Sequence, residues 1–114
     1  MTTVTCTYSG GLHCQARHGP SGALLDTDAP VDNQGRGESF SPTDLVGTAL
    51  VSCILTVMGI VAARHGLAIE GASARVDKTM TTSGERRIAG LEAWISLPPG
   101  LDGEQRALLI HAGD

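Results

Sequence analysis

An α+β fold is the expectation from this sequence, with antiparallel sheets around one long, buried central helix. Three observations lead to it. Residues 45–63 contain 19 successive uncharged positions between clear helix start and stop signals. Ahead of them an alternating β-branched stretch runs into a glycine turn. Beyond them, two further alternating stretches flank a second turn. At 114 residues the chain is sized for a single domain, residues 1–114.

The elements follow in order. Val4-Thr5-Cys6-Thr7-Tyr8 alternates, Ser9-Gly10-Gly11 supplies turn chemistry, and Leu12-His13-Cys14-Gln15-Ala16 resumes a strand, so residues 1–18 read as a hairpin. Residues 19–41 shift to Gly, Pro, Asp, Asn and Ser, a loop-rich stretch with one short strand at 23–27. Loops this long in a small domain usually serve function or remain flexible.

The central helix is expected over residues 42–65. Ser41 is the N-cap, Pro42 takes the first helical position, Asp44 closes a carboxylate variant of the capping box, and Phe40 is placed to staple onto Leu45. Arg64 and His65 suit the negative end of the helix dipole, and Gly66 stops it. Strands are then expected over 67–81 and 86–97 around the turn Thr82-Ser83-Gly84-Glu85. Their alternation is clear in Ala72, Ala74, Val76 and Met80 on the first and in Ala93, Ile95 and Leu97 on the second. Pro98-Pro99-Gly100 ends the sheet, and Asp102 opens a short helix over 103–111 with Leu101, Leu108 and Leu109 on its apolar side.

A helix of 19 uncharged residues is about as long as a bilayer core is thick, so a membrane span has to be weighed. Gly47, Thr48, Ser52, Thr56 and Gly59 interrupt the run, and the amphipathic strands on either side need this helix as their core. The reading is therefore a helix buried on nearly all sides, with no membrane partner. One chain of this size can hardly wrap it, and a second subunit would complete the cover. Thr48, Ser52, Thr56 and Gly59 form a small-residue stripe, read here as the helix-to-helix contact of a dimer.

Composition excludes several functions. With 12 acidic against 8 basic side chains the net charge is -4, and Tyr8, Phe40 and Trp94 are the only aromatics. Neither a basic footprint nor stacking platforms are available for nucleic acid. Hydrophobic residues at 41% and charged residues at 18% describe a chain that folds. The N-terminus lacks the basic and apolar regions of a leader, so a cytoplasmic location is expected. His13, His18, His65 and His111 fall on different elements without ligand spacing, which gives no metal site. Nucleotide-binding glycine motifs and a GxSxG elbow are missing as well.

Chemistry therefore rests on the cysteines. Cys6, Cys14 and Cys53 are odd in number and lack a CxxC, so at least one thiol stays free. Cys6 and Cys14 read as strand residues. Cys53 sits mid-helix, where the commonest fate is as a small buried hydrophobe. As a nucleophile it would need a nearby cation to hold the thiolate, and the candidates are Arg36, Arg17 and His18. Arg36 lies in the turn Asn33-Gln34-Gly35-Arg36-Gly37-Glu38, which could fold back over the helix or leave the arginine in solvent.

The run Gly35-Arg36-Gly37-Glu38-Ser39-Phe40-Ser41-Pro42-Thr43-Asp44-Leu45-Val46, followed by Ala49-Leu50-Val51-Ser52-Cys53, closely resembles the OsmC/Ohr family of osmotically induced and organic hydroperoxide resistance proteins. Met58-Gly59-Ile60-Val61-Ala62, Gly71, Lys78-Thr79-Met80 and Arg86-Arg87-Ile88 extend the likeness over about residues 4–110, closest to the OsmC-like branch. The resemblance implies an OsmC-like fold, an intertwined homodimer with sheets wrapped around two central helices, and thiol-dependent peroxidase chemistry at the interface. Cys53 aligns with the peroxidatic cysteine and Arg36 is the nearest match to the arginine that polarises the peroxide. No cofactor is implied beyond an external dithiol reductant, such as one of lipoyl type.

Two departures from the family pattern stand out. Thr43 occupies the position where the family commonly has the glutamate that orients the arginine. The family's C-terminal Cys-Pro motif, which carries the resolving cysteine, has no counterpart among these residues. The expected function is reduction of organic hydroperoxides in oxidative stress defence. The alternative is a catalytically weak or inactive relative that binds an apolar ligand or senses oxidation through Cys53.

Overall fold

The computed structural model describes residues 1–114 as two compact units, Met1–Leu45 and Val46–Asp114. The first is built on a three-stranded antiparallel sheet, β1 (Val4–Gly10), β2 (His13–His18) and β3 (Leu24–Asp28), in the order β1-β2-β3. The expected hairpin is β1–β2, and the short strand expected in the loop-rich stretch is β3. Val4 pairs with His18 and Tyr8 with Cys14, while His13 pairs with Asp28 and Arg17 with Leu24. Val31–Asn33 form one turn of 3-10 helix that the sequence reading had as loop.

Helix α1 (Pro42–Arg64) begins where its capping signals say. The Ser41 hydroxyl accepts from the Asp44 backbone N–H at 3.1 Å, and the Asp44 carboxylate accepts from the Ser41 N–H at 2.9 Å, a reciprocal capping box. At the other end Gly66 is left-handed, its N–H donates to the Ala63 carbonyl, and the Leu67 N–H reaches back to Ala62 at 2.9 Å. These two bonds satisfy carbonyls that the last turn would otherwise leave open, and they send Leu67 into the apolar core.

In the second unit β4 (Ser73–Met80) and β5 (Ile88–Ser96) form a two-stranded antiparallel sheet, and α2 (Gly103–Gly113) closes the chain. The strands are shorter than the stretches expected over 67–81 and 86–97. Ala72 N–H bonds to the Ile69 carbonyl and Gly71 has a positive φ, so residues before Ser73 turn instead of pairing. Along β4 the alternation is as expected, with Ala74, Val76 and Met80 turned inward. On β5, Ile88, Leu91 and Ile95 are the half-buried members, whereas Ala93 is exposed. Asp102 caps α2, accepting from the Gln105 N–H at 2.8 Å while the Gln105 side chain accepts from the Asp102 N–H at 2.9 Å.

The core of this unit is Met58, Ala62 and Leu109, with Ile54, Val61, Leu67, Ile69, Ile95, Leu97 and Leu101 packed around it. Gly47 lets α1 approach the sheet, since a Cβ there would meet Val76 at 3.4 Å and Leu91 at 3.6 Å. The expectation of a helix buried on nearly all sides is not met within one chain. Only Gly47, Met58 and Ala62 of α1 are buried, because the two-stranded sheet and the short α2 cover one side of it.

Candidate active site

The uncovered side of α1 carries Val46, Leu50, Cys53, Val57 and Ile60, spaced four, three, four and three residues apart. That period keeps them on one stripe of the helix. All five are exposed, Val46 and Ile60 to about half of their surface. This open stripe is apolar and bulky, and Ser52 and Thr56 of the small-residue stripe expected from the sequence are exposed beside it. Ser52 and Thr56 border it with their hydroxyls turned onto the helix backbone, donating to the Ala49 carbonyl at 3.3 Å and the Ser52 carbonyl at 2.7 Å. Their polarity is spent locally, as is usual for hydroxyl side chains inside a helix.

Cys53 is the middle member of this stripe. It is a free, exposed thiol, which overturns the reading of it as a buried hydrophobe within the chain. A groove of about 450 Å³ opens beside it, lined by Leu50, Cys53, Ile54, Val57, Ala112 and Gly113 together with Asp114. The groove exists because α2 lies against α1 at Gly113, where a Cβ would collide with Met58 at 2.7 Å and press on Ile54 at 3.1 Å.

Arg36 belongs to the first unit, on the loop between β3 and α1. Its neighbours explain the Gly-Arg-Gly pattern. A Cβ at Gly35 would overlap the Ala29 carbonyl, and Gly37 holds a φ of +63° that favours glycine. Gly35 and Gly37 N–H groups donate to the Pro30 and Ala29 carbonyls, and the Asp28 N–H donates to the Phe40 carbonyl, tying the two ends of the loop together. The exposed Arg36 side chain extends to the β1–β2 turn, with Nη2 placed 3.6 Å from where a Cβ of Gly11 would be. Thr43, at the position of the family glutamate, has its hydroxyl 3.2 Å from that of Ser41, and Asp44 is held in the cap.

Arg17 and His18, the other candidate cations, are exposed at the far end of β2. The Arg17 guanidinium lies over Gly22, and His18 Nδ1 is 2.6 Å from the Ser21 hydroxyl. The sequence reading missed two groupings in the first unit that follow from strand register alone. His13 Nδ1–H donates to Asp28 at 2.7 Å, and Asp28 is buried. Cys6 and Cys14 share a face of the β1–β2 ribbon, Cys6 opposite Ala16 and Cys14 opposite Tyr8. Desolvation on the sheet, then the like charge and thiol–thiol hydrogen bond of Cys14, push the Cys6 thiol above its ordinary 9.0.

Two antiparallel sheets, a long capped helix with a mid-helix thiol and a short second helix define an α+β protein of the thiol-bearing kind. The chain belongs to the OsmC-like family, whose description is OsmC-like protein and whose match covers residues 35–113. A solved structure described as an osmotic stress induced and detoxification response protein of Psychrobacter arcticus 273-4 is 42% identical, with a TM-score of 0.91 over 99% of this chain and 82% of that one. The organic hydroperoxide resistance protein OsmC of Legionella pneumophila is 21% identical with a TM-score of 0.65, over 98% of this chain and 81% of its own. Bacillus subtilis OhrB, an organic hydroperoxide resistance protein, is 18% identical with a TM-score of 0.64, over 99% and 82%. The last two likenesses establish the fold. Comparison with curated proteins gives no match.

Proposed function

We propose that this chain is a thiol-dependent peroxidase that reduces organic hydroperoxides, with Cys53 as nucleophile. What carries the proposal is the position of Cys53 at the centre of an open apolar stripe, beside a groove that suits the alkyl part of such a substrate. Relatives of the same fold that are named for organic hydroperoxide resistance support it. The Cys53 thiolate attacks the distal peroxide oxygen, the O–O bond breaks, and a proton goes to the departing alkoxide, giving an alcohol and a sulfenic acid. An external dithiol, such as one of lipoyl type, then forms a mixed disulfide with loss of water and releases the thiol by closing its own disulfide.

On the family resemblance, Arg36 is our candidate for the positive charge that favours the thiolate and polarises the peroxide. The exposed stripe from Val46 to Ile60 is covered by the same stripe of a second copy, which sets Cys53 at the interface of a homodimer and keeps the helix in a soluble, cytoplasmic protein. By length and composition alone α1 is apolar enough to cross a membrane. In this proposal the partner helix takes the place of lipid.

The test is steady-state reduction of cumene hydroperoxide with dithiothreitol or dihydrolipoamide as donor. Cys53→Ser is expected to fall to the uncatalysed rate and Arg36→Ala to lose about 100-fold. Turnover by Cys53→Ser equal to that of the parent protein overturns the assignment. The groove also favours a second reading, an apolar-ligand binder or oxidation sensor, which predicts stoichiometric oxidation of Cys53 without turnover.

A further inference from the structure

We propose that Cys6 and Cys14 form a second, independent redox site, a dithiol that a low-molecular-weight disulfide of the glutathione type converts into a cross-strand bridge. This does not depend on any peroxidase activity of Cys53. The register places the two thiols on one face of the β1–β2 ribbon as diagonal neighbours, since Cys6 pairs with Ala16 and Cys14 with Tyr8. Diagonal positions across an antiparallel pair stand about 7–8 Å apart. Cys14 is near enough to be among the causes that raise the Cys6 thiol. Neither is locked away. Cys6 is exposed and Cys14 half-buried, so an attacking disulfide has access to the first and the second stands beside it.

Closing a disulfide from this diagonal placement requires the strands to shift, because a disulfide tolerates only short Cα separations. The fold permits that shift. β1 is the edge of its sheet, bonded to β2 on one side only. Its register slips between Tyr8 and Gly10, and Gly10 and Gly11 both hold positive φ in the turn that joins the strands. One ladder and one glycine hinge therefore absorb the movement.

The chemistry balances without any other participant. The thiolate of one cysteine attacks the small disulfide, forming a mixed disulfide and expelling one small thiolate. The other cysteine then attacks the protein sulfur of the mixed disulfide, expelling the second small thiolate. Two protein thiols are oxidised, one small disulfide is reduced to two thiols, and both thiol protons pass to the products. Because desolvation, and after it Cys14, hold the Cys6 thiol above its ordinary value, the thiolate is scarce near neutrality. Bridging accelerates as pH rises, by up to about tenfold per unit between about pH 7 and pH 9.

The experiment uses the full chain carrying Cys53→Ser, so that Cys6 and Cys14 are the only thiols, equilibrated with reduced and oxidised glutathione and quenched by alkylation. The expected result is a loss of two hydrogens in the intact mass, a Cys6–Cys14 linked peptide on digestion, and no persistent glutathione adduct. Adding Cys14→Ser turns the product into a stable mixed disulfide at Cys6. The proposal is overturned if both cysteines alkylate fully, if both carry glutathione, or if the bridge joins two chains on a non-reducing gel. Peroxide turnover by the protein with intact Cys53 is read separately, so failure of this site leaves the assignment of Cys53 untouched.

Discussion

In Met1–Leu45 the side chains withdrawn from solvent are Asp28 and Ser41, whereas in Val46–Asp114 they are Met58, Ala62 and Leu109. The first unit is a three-stranded sheet and a glycine-rich loop held by specific hydrogen bonds: Asp28 to His13, the Ser41–Asp44 box, and the Asp28–Phe40 closure. The second is held by volume, with one side of α1 set against β4, β5 and α2. Their cysteines differ in the same sense. Cys6 and Cys14 are neighbours because of strand register, and Cys53 stands singly in an apolar stripe. A hydrogen-bonded unit is specified by geometry and loses stability in steps of one bond; an apolar unit loses it in proportion to the space left empty.

The largest effect tests the apolar side. Leu109 is fully buried, and Leu109→Ala is expected to cost about 2–5 kcal/mol in urea denaturation followed by Trp94 fluorescence. A loss of the same size at Tyr8, in the first unit, would break the contrast by joining the two stabilities. A smaller loss follows from the polar side. Ser41→Ala removes the cap of α1 and is expected to cost about 1 kcal/mol, with Ser41→Asn or Ser41→Asp restoring most of it.

The smallest effect belongs to the solvent face of the second sheet. There Arg75 bonds Asp77 at 2.8 Å and its guanidinium lies 4.8 Å from the Trp94 ring centre. The hydrogen bonds from Arg75 chiefly, and its charge, hold the Asp77 carboxyl below its ordinary 3.8 against a slight desolvation. A depressed carboxyl stabilises the fold above the unfolded value, and that contribution disappears as pH falls through the folded one. Exposed at both partners, the pair contributes little. It is best read as an NMR titration midpoint for Asp77 that rises toward 3.8 in Arg75→Gln. No movement of the midpoint would remove the pair from the comparison.

Local signals were legible residue by residue. The Ser41–Asp44 box, the Gly66 stop, the glycine turn after β1 and the Asp102 cap each need only neighbours within a few positions, and all stand where expected. The span of β4 was overread, since Leu67 and Ile69 look like strand residues but serve the core through the helix stop. The exposed face of α1 was only partly legible for a related reason. A run apolar all round contains no polar side to mark which stripe a sheet covers, so the sequence marked Ser52 and Thr56 but not Val46, Leu50, Cys53, Val57 and Ile60.

By itself the sequence determined the α+β class, the starts of both helices and the family, because caps, turns, periodicity and motifs act over short stretches of chain. Tertiary structure decided what depends on residues far apart in sequence. It chose the buried side of α1 through Gly47 against Val76 and Leu91, brought Asp28 to His13, and set Cys6 beside Cys14. Strand register and helix rotation are chosen by the sum of many weak contacts across the fold, and that sum is written at no single position.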